Sequence, residues 1–289
     1  MSALREALNE YGAVRRALGT QLHEPAITLG HFVEFLEREG AQFITTALAL
    51  RWAKEPERVQ RATWARRFSM VRRLAVWMSG FDPRTEVPPR GLIDARHRRP
   101  KPHIFTQQEI EQLMAEASRL PSPTGLRALT YGALIGLLAA TGLRPGEALA
   151  LDGHDVDLPN GVLAIRQTKF GKSRFVPVDG STRTALAHYA GRRDELCPHH
   201  RTEAFLVSES GTRLGQCSAR RTFAKLSCGI GIRTAAEGRR IGHGPRLQDL
   251  RHTFATWRIV EWYRAGLNVE RELPKLATYL GHVNVSDTY

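Results

Sequence analysis

The sequence predicts a mainly α-helical protein with one small β-hairpin, arranged as two domains. Three observations carry this expectation. Apolar residues recur at three- and four-residue spacing through most of the chain. A single pair of β-rich runs surrounds a glycine-containing turn in "GVLAIRQTKFGKSRFVPV". The 289 residues exceed the usual size of one domain, and a proline-rich break falls near the end of the first third.

The elements follow in order. "SALREALNEYGAVRRALG" and "TLGHFVEFLEREG" read as amphipathic helices. "RATWARRFSMVRRLAVWMSG" aligns Trp64, Phe68, Val71, Ala75 and Met78 on one helical face, with Gly80 as a stop. Arg66, Arg67, Arg72 and Arg73 fall largely on the other faces. Residues 1–82 form the first, helical domain. "FDPRTEVPPRGLIDARHRRPKPHIF" has five prolines and the basic pair Arg98 and Arg99. It cannot continue a helix and reads as a linker over 83–103 that follows a phosphate backbone. The second domain, 104–289, opens with "TQQEIEQLMAEA", where Thr106 and Glu109 have capping-box spacing. It is mostly helical around the hairpin, a mixed α+β domain.

Charge points to the partner. The chain carries 42 Lys+Arg against 29 Asp+Glu, a net +13. Residues 51–100 hold thirteen of the cations and only five acids. A polyanion is implied, nucleic acid ahead of an acidic membrane, and the four helix arginines are assigned to a DNA backbone. Three cysteines are too few for a disulfide framework, and the start "MSALREALNE" lacks a signal-type apolar core. "LTYGALIGLLAATGL" is glycine-interrupted and shorter than the ~20 residues that span a bilayer. A soluble, cytoplasmic, nucleoid-associated protein with no membrane partner is expected. "CPHH" (Cys197, His199, His200) offers three metal ligands, but its spacing matches no common zinc pattern, so it reads as a surface loop.

Four stretches of the second domain carry chemistry. In "AATGLRPGEALAL" one helix ends at Thr141-Gly142 and another starts at Pro145, with Glu147 in its first turn and Arg144 at the junction. The hairpin carries Lys169, with Lys172 and Arg174 just beyond, as groove or backbone contacts. "RLQDLRHTFATWRIVEWYR" is a helix holding Arg251. In "LATYLGHVNV", His282 follows a Leu-Gly turn. Each alone is a weak signal.

In this order, "TGLRPGEAL", "TKFGKSRFVP", "DLRHTFAT" and "LGH" resemble the catalytic boxes of the tyrosine recombinase (phage integrase) family, and the likeness covers essentially the whole chain. The resemblance implies a helical core-binding domain followed by a catalytic domain, in a site-specific recombinase of a mobile element. A tyrosine would attack a DNA phosphodiester to give a 3′-phosphotyrosine link, with no cofactor required. Arg144 and Arg251 match the two arginines that hold the phosphate, Lys169 the general acid and His282 the second-box histidine. The partner is double-stranded DNA, and the protein is expected to be a monomer free in solution and a homotetramer on synapsed DNA sites.

Two departures from the family pattern stand out. Gln248 occupies the place, three residues before Arg251, where the family usually has histidine; His243 and His252 are not clear substitutes. Glutamine can donate to a phosphate oxygen but cannot exchange a proton near neutral pH, so reduced activity is expected. Tyr289 lies seven residues after His282, where the family's nucleophile lies nine after. Two helical residues turn the side chain by ~200°. Three readings remain open: a truncated chain lacking its nucleophile, Tyr289 as nucleophile at a shortened spacing, or a non-cleaving DNA-binding regulator. A topoisomerase-like strand relaxer is a further rival, and truncation would weaken tetramer formation.

Overall fold

The computed structural model describes residues 2–20, 23–57, 59–94, 101–166, 173–234 and 244–281, without the side chain of His23. The chain divides into two compact units, Met1–Pro100 and Lys101–Tyr289.

The first unit is helical: α1 (Ala3–Ala17), α2 (His23–Arg38), α3 (Thr46–Lys54) and α4 (Arg61–Met78). The Ser2 hydroxyl caps α1 by accepting from the Arg5 amide. The core is built from Phe32, Leu36, Trp52, Val71 and Leu74, all essentially inaccessible. On α4 the expected stripe is buried from Phe68 through Val71 and Ala75 to Met78, joined by Met70 and Leu74. Trp64 is only half-buried, because its indole N–H reaches out to the Pro56 carbonyl at 2.8 Å. Helix α2 starts five residues before the apolar run that marks it, through a stretch in which Glu24, Ala26 and Ile27 are exposed. Helix α3, nine residues long, is too short to show a clear period. Thr45 caps it, and Ala49, Trp52 and Ala53 anchor it. The proline-rich stretch does not leave this unit at residue 83. The Glu86 amide donates to the Ile44 carbonyl (2.8 Å), and its carboxylate accepts from the Thr46 amide (2.7 Å).

The second unit comprises α5 (Gln107–Ser118), α6 (Leu126–Thr141), α7 (Pro145–Ala150), β1 (Val156–Asp157), β2 (Val162–Ile165), β3 (Arg174–Pro177), α8 (Gly180–Leu196), α9 (Gln216–Gly229), α10 (Leu247–Arg264) and α11 (Val269–Leu280). The capping box at Thr106 and Glu109 forms with both reciprocal bonds. Helix α6 is apolar on nearly every side and is packed by α5, α8 and α10. Its N-cap is Gly125, which has no side chain to offer. The Glu209 carboxylate, from a distant loop, takes that place: it accepts from the Arg127 amide (2.9 Å), the Thr124 amide (3.1 Å) and hydroxyl (2.6 Å), and the Ser122 hydroxyl (2.5 Å). The hairpin pairs β2 with β3 antiparallel, Leu163 opposite Val176 and Ile165 opposite Arg174. Two-residue β1 extends it to a three-stranded sheet. No helix among the described residues is long and apolar enough to cross a membrane.

Candidate active site

Two helices end on glycines in the left-handed conformation: α6 at Gly142 (φ 61°) and α11 at Gly281 (φ 70°). A side chain is disfavoured there by the backbone and by space, since a Cβ at Gly142 would fall 2.5 Å from the Phe254 ring. Such caps leave terminal carbonyls facing outward with no partner in the helix. Arginines fill that need. Arg251 on α10 donates through Nη1 to the Gly142 carbonyl (2.9 Å) and through Nη2 to the Leu280 carbonyl (2.7 Å), so it ties the ends of α6 and α11 together. Arg144, the N-cap of α7, donates through Nη2 to the Gly281 carbonyl (3.0 Å). Arg174, at the start of β3, donates through Nε to the Tyr279 carbonyl (2.8 Å). Three consecutive carbonyls at the negative end of the α11 dipole thus hold three guanidinium groups from three different elements.

Glu147, in the first turn of α7, is the carboxylate among them. Its Oε1 accepts from Arg144 Nη1 (2.7 Å) and Arg174 Nη1 (3.1 Å); its Oε2 accepts from Arg174 Nη2 (2.8 Å) and the Arg144 amide (3.0 Å). Burial opposes its charge, yet the two arginines prevail and hold its carboxyl below the usual carboxylate range. Arg251 is 3% exposed. Burial, reinforced by the like charges of Arg144 and Arg174, pulls its pKa down to about 9, so it remains cationic at neutral pH. Three cations against one anion leave a net positive site, suited to a dianionic phosphoryl transition state.

Arg144 and Arg251 meet at the α11 terminus. Arg174, expected as a DNA contact, belongs to the same cluster, with its side chain only 13% exposed. Gln248 is half-buried on the first turn of α10, and His252 is exposed. Lys169, Lys172, His243, His282, Tyr289, Arg98 and Arg99 lie outside the described residues. On α4, Arg73 is exposed and Arg72 half-buried, and neither forms an ion pair with a described residue. Arg66 and Arg67 do have carboxylate partners, contrary to the expectation from local composition. Arg66 pairs with Glu24, while Arg67 donates to the Trp52 carbonyl (2.9 Å), lies 3.7 Å above the Trp52 ring and reaches Glu55 at 3.8 Å. Arg67 therefore serves the unit's own packing.

Glu147 was legible only as an acid in the first turn of a helix. Its three-residue spacing from Arg144 was the signal that could have found it. Cys197 caps α8, and the His200 ring pairs with the Thr202 carbonyl at 2.7 Å, as befits a structured turn. Asp152, His154 and Asp155 lie close enough to hold an ion, but Arg213 already pairs with Asp152 and Arg166 with Asp155.

Comparison with known proteins agrees with the geometry. The family model described as "Phage integrase family" matches residues 103–289. The integrase/recombinase y4rB of Sinorhizobium fredii is 44% identical over 100% of this chain and 92% of its own length. The tyrosine recombinase XerD of Neisseria meningitidis serogroup B is 32% identical over 79% of this chain and 71% of its own. Among solved structures, a lambda integrase dimer bound to a COC′ core site aligns with a TM-score of 0.65 at 16% identity, covering 100% of this chain and 98% of that one. At that identity it shows the fold alone.

The chain belongs to the phage integrase family. It is a tyrosine recombinase, a DNA breaking-and-rejoining enzyme of site-specific recombination.

Proposed function

We propose that Arg144 and Arg251 hold the non-bridging oxygens of the scissile DNA phosphate, at the cluster where the α6 and α11 termini meet. The observation that carries this reading is the convergence of both guanidiniums, 107 residues apart in sequence, on adjoining carbonyls of one helix end. Their protein contacts leave further N–H donors on each group, and a phosphate would compensate the charge that burial makes costly.

In this reading a tyrosine hydroxyl loses its proton to solvent water as its oxygen bonds to phosphorus and the bond from phosphorus to the 5′ oxygen breaks, leaving a 3′-phosphotyrosine and, once protonated, a free 5′-hydroxyl. Lys169 supplies the proton to the departing oxygen. Gln248 donates a hydrogen bond to the phosphate, His282 hydrogen-bonds the phosphate or its nucleophile, and Tyr289 is the candidate nucleophile within the sequence. Arg66, Arg67, Arg72, Arg73, Arg98, Arg99 and Lys172 are the candidate backbone contacts; among the four on α4, exposed Arg73 is the best placed and Arg67 the least. The protein is a monomer free in solution and recombines duplex DNA as a tetramer on synapsed sites, at the nucleoid, on a mobile element. Glu147 keeps Arg144 aimed.

The test begins with selecting bound sites from a random-sequence duplex pool. The recovered site, nicked so that cleavage cannot reverse, is then incubated with the protein. Wild type should give a covalent protein–DNA adduct. Arg144→Ala and Arg251→Ala should each slow its formation by about 10²–10³-fold, as for loss of one oxyanion donor. Undiminished adduct in both variants would refute the assignment.

A further inference from the structure

We propose that Arg174 is a positioning residue for DNA cleavage, acting through Glu147 on Arg144 and through the last turn of α11, and not a contact to the DNA backbone. The inference rests on the reading of Arg144 and Arg251 as phosphate ligands.

Arg174 faces Glu147 with a two-pronged pairing, Nη1 to Oε1 and Nη2 to Oε2. Its third donor direction, Nε, is taken by the Tyr279 carbonyl. A Cβ built on Gly281 would sit 2.8 Å from its Nη1, so the guanidinium lies directly against the α11 cap. A side chain held by a carboxylate, a helix-end carbonyl and a glycine surface, and 13% exposed, is poorly disposed to reach a phosphate in solvent.

What it controls is the neighbouring arginine. Glu147 Oε1 is shared between Arg174 and Arg144. While Arg174 holds both carboxylate oxygens, Arg144 donates one side-chain bond to Glu147 and keeps other donors available. Without Arg174 the carboxylate is free to pivot and pair fully with Arg144, withdrawing the guanidinium from phosphate. The same loss releases the Tyr279 carbonyl, one of three that fix the helix end from which the chain enters His282. Lysine cannot substitute: an ammonium is a point charge and does not span two carboxylate oxygens and a carbonyl at fixed angles.

The experiment uses the full chain with the selected DNA site. For Arg174→Lys and Arg174→Gln, affinity should stay within about 3-fold of wild type with an unchanged salt slope, while single-turnover cleavage at saturating protein falls about 10–100-fold. Lysine should not rescue. In a Glu147→Gln background, Arg174→Lys should cost less than about 3-fold further, because the two residues act along one route. An affinity loss with the salt slope reduced by about one would make Arg174 a phosphate contact and overturn the proposal. So would unchanged cleavage at saturation, full additivity with Glu147→Gln, or failure of even Arg174→Lys to fold, which would make the role structural.

If wild type itself forms no adduct, the cleavage reading has failed, and Arg174 is judged by a second measurement. Inorganic phosphate should raise the melting temperature of wild type but not of Arg174→Lys; equal stabilisation of both would overturn the proposal.

Discussion

Replacing Glu209 with alanine removes the cap of α6, the helix around which the second unit is packed. Four hydrogen bonds end on this carboxylate, two of them from backbone amides at the helix start. Glycine at the N-cap supplies no substitute. Although burial favours the neutral form, bonds from Ser122, Thr124 and Arg127 lower the pKa of Glu209 to about 2 from 4.5. That shift sets an upper bound of ~3 kcal/mol of linkage free energy. Glu209 keeps part of its surface in solvent, and capping residues ordinarily contribute ~1–2 kcal/mol, so we expect the lower range.

In a domain of this size that corresponds to a fall in melting temperature of about 2–8 °C. The sign in pH follows from the depressed pKa. The contribution is complete above the unfolded value of 4.5 and is lost as pH falls toward 2. Calorimetry at pH 7 and again at pH 3.5 should therefore find the gap between wild type and Glu209→Ala narrowing in acid. Glu209→Gln should recover part of it, since an amide oxygen can still accept. A gap that is absent at pH 7, or that widens in acid, would refute the capping argument.

Other expectations concern the site. Gly142→Ala should lower stability by about 2 kcal/mol or more, because it combines a left-handed backbone with a Cβ 2.5 Å from Phe254; thermal melts read this directly. Glu147→Ala should cost ~3 kcal/mol in the DNA-free protein by leaving the buried arginines uncompensated. Bound DNA should restore part of that loss, and parallel melts with and without the selected duplex provide the check. Gln248→His should speed adduct formation about tenfold, with a new dependence on pH near the histidine range. A rate no faster than the parent would count against a proton-handling role at that position. Affinity for DNA should fall steeply between 50 and 200 mM salt, as fits several phosphate contacts; a flat dependence in filter binding would contradict backbone recognition.

What was legible in the sequence was local. The apolar stripe of α4, the Thr106–Glu109 box, the Gly142–Pro145 junction and the hairpin each write their geometry into a few adjacent residues. Helix α3 and strand β1 are too short for a period to register, and α2 begins before its buried face does. In the cluster at the α11 terminus, Arg144 and Arg251 were singled out through their motifs. The place of Arg174 was not, because it depends on where α11 ends relative to β3, a tertiary relation that no single stretch encodes. Arg67 shows the same limit from the other side. Net charge assigned it to DNA, whereas the indole and carbonyl of Trp52, fifteen residues earlier in sequence, claim it for packing.

The measurement closest to the central claim is peptide mapping of the covalent adduct formed on the nicked, selected duplex. A single tyrosine should be esterified to a DNA 3′-phosphate, located on the C-terminal side of Gly281, with the adduct depleted in Arg251→Ala. A linkage at any other residue, or to a 5′-phosphate, would mean that the arginine cluster at the end of α11 is not where this chain breaks DNA.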